Sequence, residues 1–180
     1  QIYLKEGEEM KLRDMLKCVA VASANDCAYA LAEHISGSEE AFVKKMNERA
    51  AELNMNDTHF VNTNGLDDSE DAENHKTTAR DISIMSRELL KHEEIYDYTK
   101  IWMDTVRDGT FGITNTNRLV RFYKGCTGLK TGSTDKAGYC ISASAERDGM
   151  QLIAVIMGAE TREIRNAEAV KLLDHGFAEY

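Results

Sequence analysis

Apolar residues keep helical spacing over the first hundred positions and change to strand spacing after them. Leu12, Met15, Leu16 and Val19 fall three and four residues apart, so residues 9–22 predict a buried amphipathic helix. That pattern breaks at Ser23-Ala24-Asn25-Asp26, where residues that favour caps and turns cluster. A second helix is expected over 26–36, with Asp26 as its N-cap and Gly37 as its stop. Ser38 opens a third, with Glu39 and Glu40 in its first turn and Phe42, Met46, Ala50 and Leu53 on its inner face. Residues 54–76 are polar, contain the turn signal Asn64-Gly65, and form a long connection of a kind often functional. Thr78, with Asp81 three residues on, resembles a capping box and opens a helix that presents Ile82, Met85 and Leu89.

From residue 101 the pattern is β. Residues 102–106 and 119–123 are short strand candidates on either side of a polar loop around Asn115-Thr116-Asn117-Arg118. Three stronger strands follow, over 128–133, 138–145 and 151–158. Asp148-Gly149 supplies a tight hairpin between the last two. Leu152-Ile153-Ala154-Val155-Ile156 is apolar on both faces, which predicts a central strand covered by helices on each side. A last helix over 161–177 is expected to bury Ile164, Ala167, Val170 and Leu173 against the sheet. The fold class is therefore α/β or α+β, an antiparallel sheet layered with helices. Residues 1–180 read as one domain, mainly helical over 9–100 and strands plus a final helix over 101–180.

Composition narrows the chemistry. A net charge of −9 argues against nucleic acid, which demands a basic surface. The acid residues are dispersed, densest at Asp67-Asp68 and Glu70-Asp71, as on a solvated surface. No apolar run approaches the ~20 residues of a membrane span. The four cysteines show neither C-x-x-C nor metal-ligand spacing, so neither a metal nor another cofactor is expected. Cys18 and Cys27 read as buried free thiols, whereas a bridge between Cys126 and Cys140 is conceivable. The five histidines and Trp102 carry no pattern of their own, and Trp102 reads as a core anchor.

Two short motifs remain, Ser23-Ala24-Asn25 as S-x-N and Lys130-Thr131-Gly132 as K-T-G. By chance S-x-N falls in about half of chains this long and K-T-G in a few per cent. Their context is what distinguishes them. The first sits in a break between helices, and the second on a strand with an antiparallel partner and a final helix behind it. Val21-Ala22-Ser23-Ala24-Asn25-Asp26, Asn64-Gly65-Leu66-Asp67, Thr78-Ala79-Arg80-Asp81, Asn117-Arg118-Leu119 and residues 128–139 extend the match in order along the chain. Together they resemble the low-molecular-mass penicillin-binding proteins, in particular the serine-type D-alanyl-D-alanine carboxypeptidases (peptidase family S11-like), over residues 3–178.

The resemblance implies the β-lactamase/transpeptidase-like fold and a serine acyl-enzyme mechanism on peptidoglycan stem peptides ending in D-Ala-D-Ala. It also implies β-lactam antibiotics as ligands. It gives Ser23 the part of a hydroxyl relay to the leaving D-alanine, Asn25 a bond to the substrate amide, and Lys130 a positive charge beside both. Thr131 would offer its hydroxyl to the substrate carboxylate, and the strand through Gly132 would pair with the bound peptide. The Ser133 N–H would be an oxyanion donor, and Arg165 is a further candidate for the carboxylate.

The nucleophile of this family lies in S-x-x-K on a helix. The S-x-x-K of this sequence, Ser133-Thr134-Asp135-Lys136, directly follows K-T-G in a polar stretch instead. The expectation is that the nucleophile, its helix and the first strands lie upstream of Gln1, and that residues 1–180 alone are inactive. A membrane anchor and β-rich domain would follow, in a protein exported beyond the cytoplasmic membrane. A class A β-lactamase is the alternative enzyme, but it needs Glu in E-x-x-L-N where Ala50 precedes Leu53-Asn54. A non-catalytic module that binds peptidoglycan or β-lactams is the alternative of another class.

Overall fold

Helix starts follow the side chains that can cap them. The computed structural model describes residues 1–68 and 70–180. Ser69 of the long connection, and the side chain of Glu70 in the acidic patch, lie outside the described residues. Seven α-helices are found among them: α1 Leu12–Ala22, α2 Asn25–Ser36, α3 Glu39–Glu52, α4 Ala79–Leu89, α5 Tyr96–Thr99, α6 Leu119–Phe122 and α7 Arg162–Glu179. Ser38, Thr78 and Thr161 each accept an N–H three residues on, at 3.1 Å, and so begin α3, α4 and α7. The strands among the described residues are β1 Met103–Val106, β2 Phe111–Thr114, β3 Cys126–Thr134, β4 Gly138–Arg147 and β5 Met150–Ala159.

Strands β3, β4 and β5 form an antiparallel sheet in that order, with Thr131 opposite Ile141 and Ala143 opposite Ala154. The hairpin at Asp148-Gly149 has both residues at positive φ, as a tight right-twisted connection requires. Side chains alternate across β4. Ile141, Ala143 and Ala145 pack with Ala154, Ala169 and Leu173 under α7. Ser142, on the other face, shares a 2.7 Å hydrogen bond with Ser86 of α4. Gly176 lets α7 settle on the sheet, because a Cβ there would lie 2.7 Å from a Leu152 methyl. A second core, Ile2, Cys18, Val21, Ala24, Cys27, Val106 and Ile113, joins α1 and α2 to the separate β1–β2 hairpin.

Several expectations need correction. Asp26 is not an N-cap: α2 starts at Asn25, and the Asp26 carboxylate accepts the N–H groups of Ile2 (3.0 Å), Leu4 (3.1 Å) and Cys27 (3.0 Å). Burial raises its pKa, but those N–H bonds outweigh it and the net shift is downward. Residues 119–123 are not a strand. The Asn117 carboxamide oxygen accepts the Leu119 N–H at 3.1 Å and turns the chain into α6. Strand β2 lay inside the stretch read as loop. Within residues 1–180 β5 pairs with β4 and packs against both α4 and α7.

The inner faces of α4 and α7 also differ from the apolar pattern. Met85 is 37% exposed, Leu89 39% and Ile164 43%, and Ala167 is exposed, while Asp81, Ser86 and Arg165 are buried. Asp81 accepts from Asp57 and Thr58 of the long connection, Ser86 pairs with Ser142 of the sheet, and Arg165 bonds Asn166 beside it, none of which apolar periodicity registers. All four cysteines are free, Cys140 standing opposite Gly132 and Cys126 opposite Ala145. Trp102 is only half-buried and packs edge-on against exposed Phe122, so it does not anchor the core. Among the described residues, no helix is long and apolar enough to cross a membrane.

Candidate active site

Ser23 ends α1 in the left-handed conformation, φ 55°, which points the chain sharply into α2. Ala24, 1% exposed, is drawn into the core beneath, so the Ser23 hydroxyl is left at the surface of the junction. It meets Lys130 there. The Lys130 amine donates to Ser23 Oγ at 2.6 Å, across 107 residues of sequence, and to the carbonyl of adjacent Thr131 at 2.6 Å. Since the lysine is the donor, the serine keeps its own hydroxyl proton for a third group.

Burial pulls the Lys130 pKa down to about 8, and the Arg165 charge adds to that. Arg165, 4% exposed at the start of α7, donates to the Asn166 carboxamide oxygen at 3.0 and 3.2 Å. Its own pKa is lowered by burial first and by Arg162 next. Among the described residues, neither Lys130 nor Arg165 has a carboxylate within ion-pair distance. Two neighbouring cations held from water without a counter-charge make a site that an anion stabilises.

A bracket of side chains holds the two halves of this site in register. Asn115 donates to the Ile101 carbonyl at 2.7 Å and accepts the Asn117 N–H at 2.8 Å. Asn117, fully buried, donates to the Gly128 carbonyl of β3 at 3.0 Å. Gly128 is required at that point: at φ 144°, a Cβ would lie 2.7 Å from Thr99. Between the two asparagines, the Thr116 N–H donates to the Val21 carbonyl of α1 at 3.1 Å. Thr131 donates its hydroxyl proton to Thr116 Oγ1 at 2.7 Å. One three-residue turn thus ties the end of α1 to the K-T-G strand.

Asn25 begins α2 two residues beyond Ser23 and is half-buried. Gly132 and Ser133 continue β3 and are exposed. Ser133 and Lys136 are not one helical turn apart, because Ser133 lies in β3 and Lys136 in the turn after it. The long connection docks here as well. Its Asp67 carboxylate accepts the Lys136 N–H at 3.4 Å, and its pKa is lowered chiefly by a hydrogen bond from Thr134.

Residues 1–161 match the peptidase S11 family of D-alanyl-D-alanine carboxypeptidases. The chain belongs to this family. It is 49% identical over 183 residues to the D-alanyl-D-alanine carboxypeptidase DacF of Bacillus subtilis, across all of this chain and 46% of that protein. It is 37% identical to DacD of Escherichia coli, across 97% of this chain and 44% of that one. The chain therefore spans less than half the length of these peptidase S11 relatives. Among solved structures, penicillin binding protein 5 from Haemophilus influenzae superposes with a TM-score of 0.91 at 34% identity, over 99% of this chain and 51% of that one. Penicillin-binding protein D2 from Listeria monocytogenes, in its ampicillin-bound form, gives 0.86 at 34% identity, over 96% and 70%.

Sequence reasoning found the two S11 motifs but not the bracket between them. Asn117-Arg118-Leu119 carries part of the family resemblance without pointing to a role. Thr116 reads only as part of that polar loop, since a threonine there signals nothing until its partners are known. The alternation Asn115-Thr116-Asn117 was the available signal.

Proposed function

We propose that the protein carrying this chain is a serine D-alanyl-D-alanine carboxypeptidase, acting on peptidoglycan stem peptides outside the cytoplasmic membrane. In this reading residues 1–180 form a partial catalytic domain, the half that relays protons and binds the carboxylate. The observation that carries it is the pair of half-buried Lys130 and buried Arg165, neither with a carboxylate partner among the described residues, beside a serine hydroxyl 2.6 Å from the lysine. The terminal carboxylate of a D-Ala-D-Ala peptide supplies the missing charge.

The nucleophilic serine gives its proton to the lysine of S-x-x-K and attacks the carbonyl of the penultimate D-alanine, and the C–N bond to the last D-alanine breaks. The leaving nitrogen needs a proton at that moment. Ser23 Oγ accepts from Lys130 and so is free to donate its own proton to that nitrogen. Lys130, with its pKa near 8, can return one. Water then hydrolyses the acyl ester and frees the serine. Asn25 holds the substrate amide, Thr131 and Arg165 the carboxylate, and the Ser133 N–H the oxyanion. The peptide lies as an added strand along the edge of β3 away from β4, past Gly132. β-Lactams take the place of the peptide.

In this account the nucleophile lies outside residues 1–180, because Ser133 has no lysine one helical turn away. The β-lactamase alternative fares worse. Ala50, where a deacylating Glu is needed, is 3% exposed within α3. The test is D-alanine release by the full-length protein from a peptide ending in D-Ala-D-Ala and from its C-terminal amide. Release from the acid and little from the amide is expected. Equal release from both, or none from either, contradicts the reading.

A further inference from the structure

Thr131 has one hydroxyl proton, and it is already given to Thr116 Oγ1 at 2.7 Å. In the free site that proton is committed to Thr116, and Thr131 can turn it to a ligand only by releasing Thr116. Thr116 is placed differently. Its oxygen accepts from Thr131, its own O–H has no acceptor among the hydrogen bonds of the described residues, and the residue is exposed. The chain of two hydroxyls runs outward, from buried Thr131 (8% exposed) to Thr116, and its last free donor belongs to Thr116. We propose that Thr116 is a carboxylate-binding residue of this site: its hydroxyl donates to the terminal carboxylate of the ligand, backed by Thr131 and beside Lys130. The proposal rests on the carboxypeptidase reading above and adds to it a specificity-determining residue outside both motifs.

Three physical arguments support the role. A hydroxyl that accepts one hydrogen bond becomes a better donor of the next, so Thr131 strengthens the Thr116 O–H. The position is pre-organised. Asn115 and Asn117, 3% and 0% exposed, hold the turn on either side, and the Thr116 N–H is fixed to the Val21 carbonyl at 3.1 Å. An exposed side chain between two locked ones loses little freedom on binding. The charge also fits: Lys130 and Arg165 supply positive charge to a planar anion, and the hydroxyl pair supplies a directed neutral donor that tells a carboxylate from an amide.

A threonine that merely braces the turn predicts something else, and substitution separates the two. Thr116→Val keeps the shape and removes the donor, whereas Thr116→Ser keeps the donor. In the full-length protein, with a peptide ending in D-Ala-D-Ala, Thr116→Val is expected to raise KM about tenfold, the loss of one bond to a charged group, while kcat falls less than threefold. The preference for the acid over the C-terminal amide, as a ratio of kcat/KM, should drop about tenfold as well. That ratio is internal to each variant, so the fraction of folded protein does not affect it. Thr116→Ser should keep the wild-type ratio.

An unchanged ratio in Thr116→Val overturns the proposal, and so does a Thr116→Ser variant that behaves like valine. A wild-type protein that releases D-alanine from neither peptide overturns the carboxypeptidase reading and this proposal with it. An active wild type with an indifferent valine variant overturns the role of Thr116 alone.

Discussion

The Ser23 side of the site and the Lys130 side are built by opposite means. Ser23 stands on an apolar core in which Ile2, Cys18, Val21 and Cys27 are fully buried. Its direction comes from a left-handed turn and from packing. Lys130 stands on a strand braced by polar pairs: Asn117 to Gly128, Thr127 to Ser144 at 2.7 Å, and Ser86 to Ser142 at 2.7 Å. Apolar packing tolerates small changes of shape, but a buried polar brace fails when one partner goes, because the other is left unsatisfied. Position on the strand side should therefore be the more fragile of the two, and its ladder already carries a register shift between Cys126 and Gly128.

The largest effects should come from the two groups that meet. Lys130→Ala or Ser23→Ala in the full-length protein should lower D-alanine release by roughly 10²–10³-fold, as loss of a proton relay or a charged donor does. Lys130→Ala should do so without lowering Tm, since it removes a cation whose burial opposes its charge. A variant of either kind that keeps half the wild-type kcat/KM would remove the pair from the mechanism.

Next comes the comparison itself. Asn117→Ala leaves the Gly128 carbonyl with only the weak Cys126 thiol donor, strands the Leu119 N–H and should cost about 2–4 kcal/mol. Cys27→Ala, on the Ser23 side, removes one sulfur from packed apolar surroundings and should cost about 1 kcal/mol. Denaturant melts of the two variants measure this directly. Equal losses would show that the halves are held alike.

The pH dependence follows from Lys130, whose pKa falls from an ordinary 10.5 to about 8. Between those values the unfolded chain holds more protons than the folded one, so this group makes stability rise with pH there. Binding runs the other way. Above about pH 8 the lysine loses its charge, and kcat/KM for the acid peptide should fall. Lys130→Met should abolish both slopes. A kcat/KM profile flat through pH 10 would contradict the assignment.

The smallest effect concerns the thiols. Burial pushes the Cys27 thiol up to about 12 and raises that of Cys18 as well. At pH 8, iodoacetamide should label half-buried Cys140 in the native protein and reach Cys18 and Cys27 only after denaturant is added. Native labelling of Cys27 would mean that the apolar half opens readily.

The sequence made elements legible wherever a local signal agreed with the global fold. Ser38, Thr78 and Thr161 open helices as expected, Gly37 closes one, and Asp148-Gly149 turns a hairpin. The K-T-G strand and its antiparallel partner were readable from alternation and turn residues. What stayed hidden depended on side chains reaching across the chain. Leu119-Val120-Arg121-Phe122 has strand-like composition, yet Asn117 bends it into a helix. Arg165 reads as a surface residue by type and is buried because of where α7 meets the sheet. Ser23 and Lys130 could be named from their motifs, but the turn that holds them together could not, since its effect lies wholly in contacts distant in sequence.

The central claim is that residues 1–180 supply a proton relay and a carboxylate grip, and that the attacking serine lies outside them. The direct measurement is to treat the full-length protein with benzylpenicillin, digest it, and locate the penicilloyl group by mass spectrometry. The account predicts one adduct, on a serine in a peptide outside residues 1–180, and its loss when that serine is changed to alanine. An adduct on Ser133 or Ser23 would contradict it.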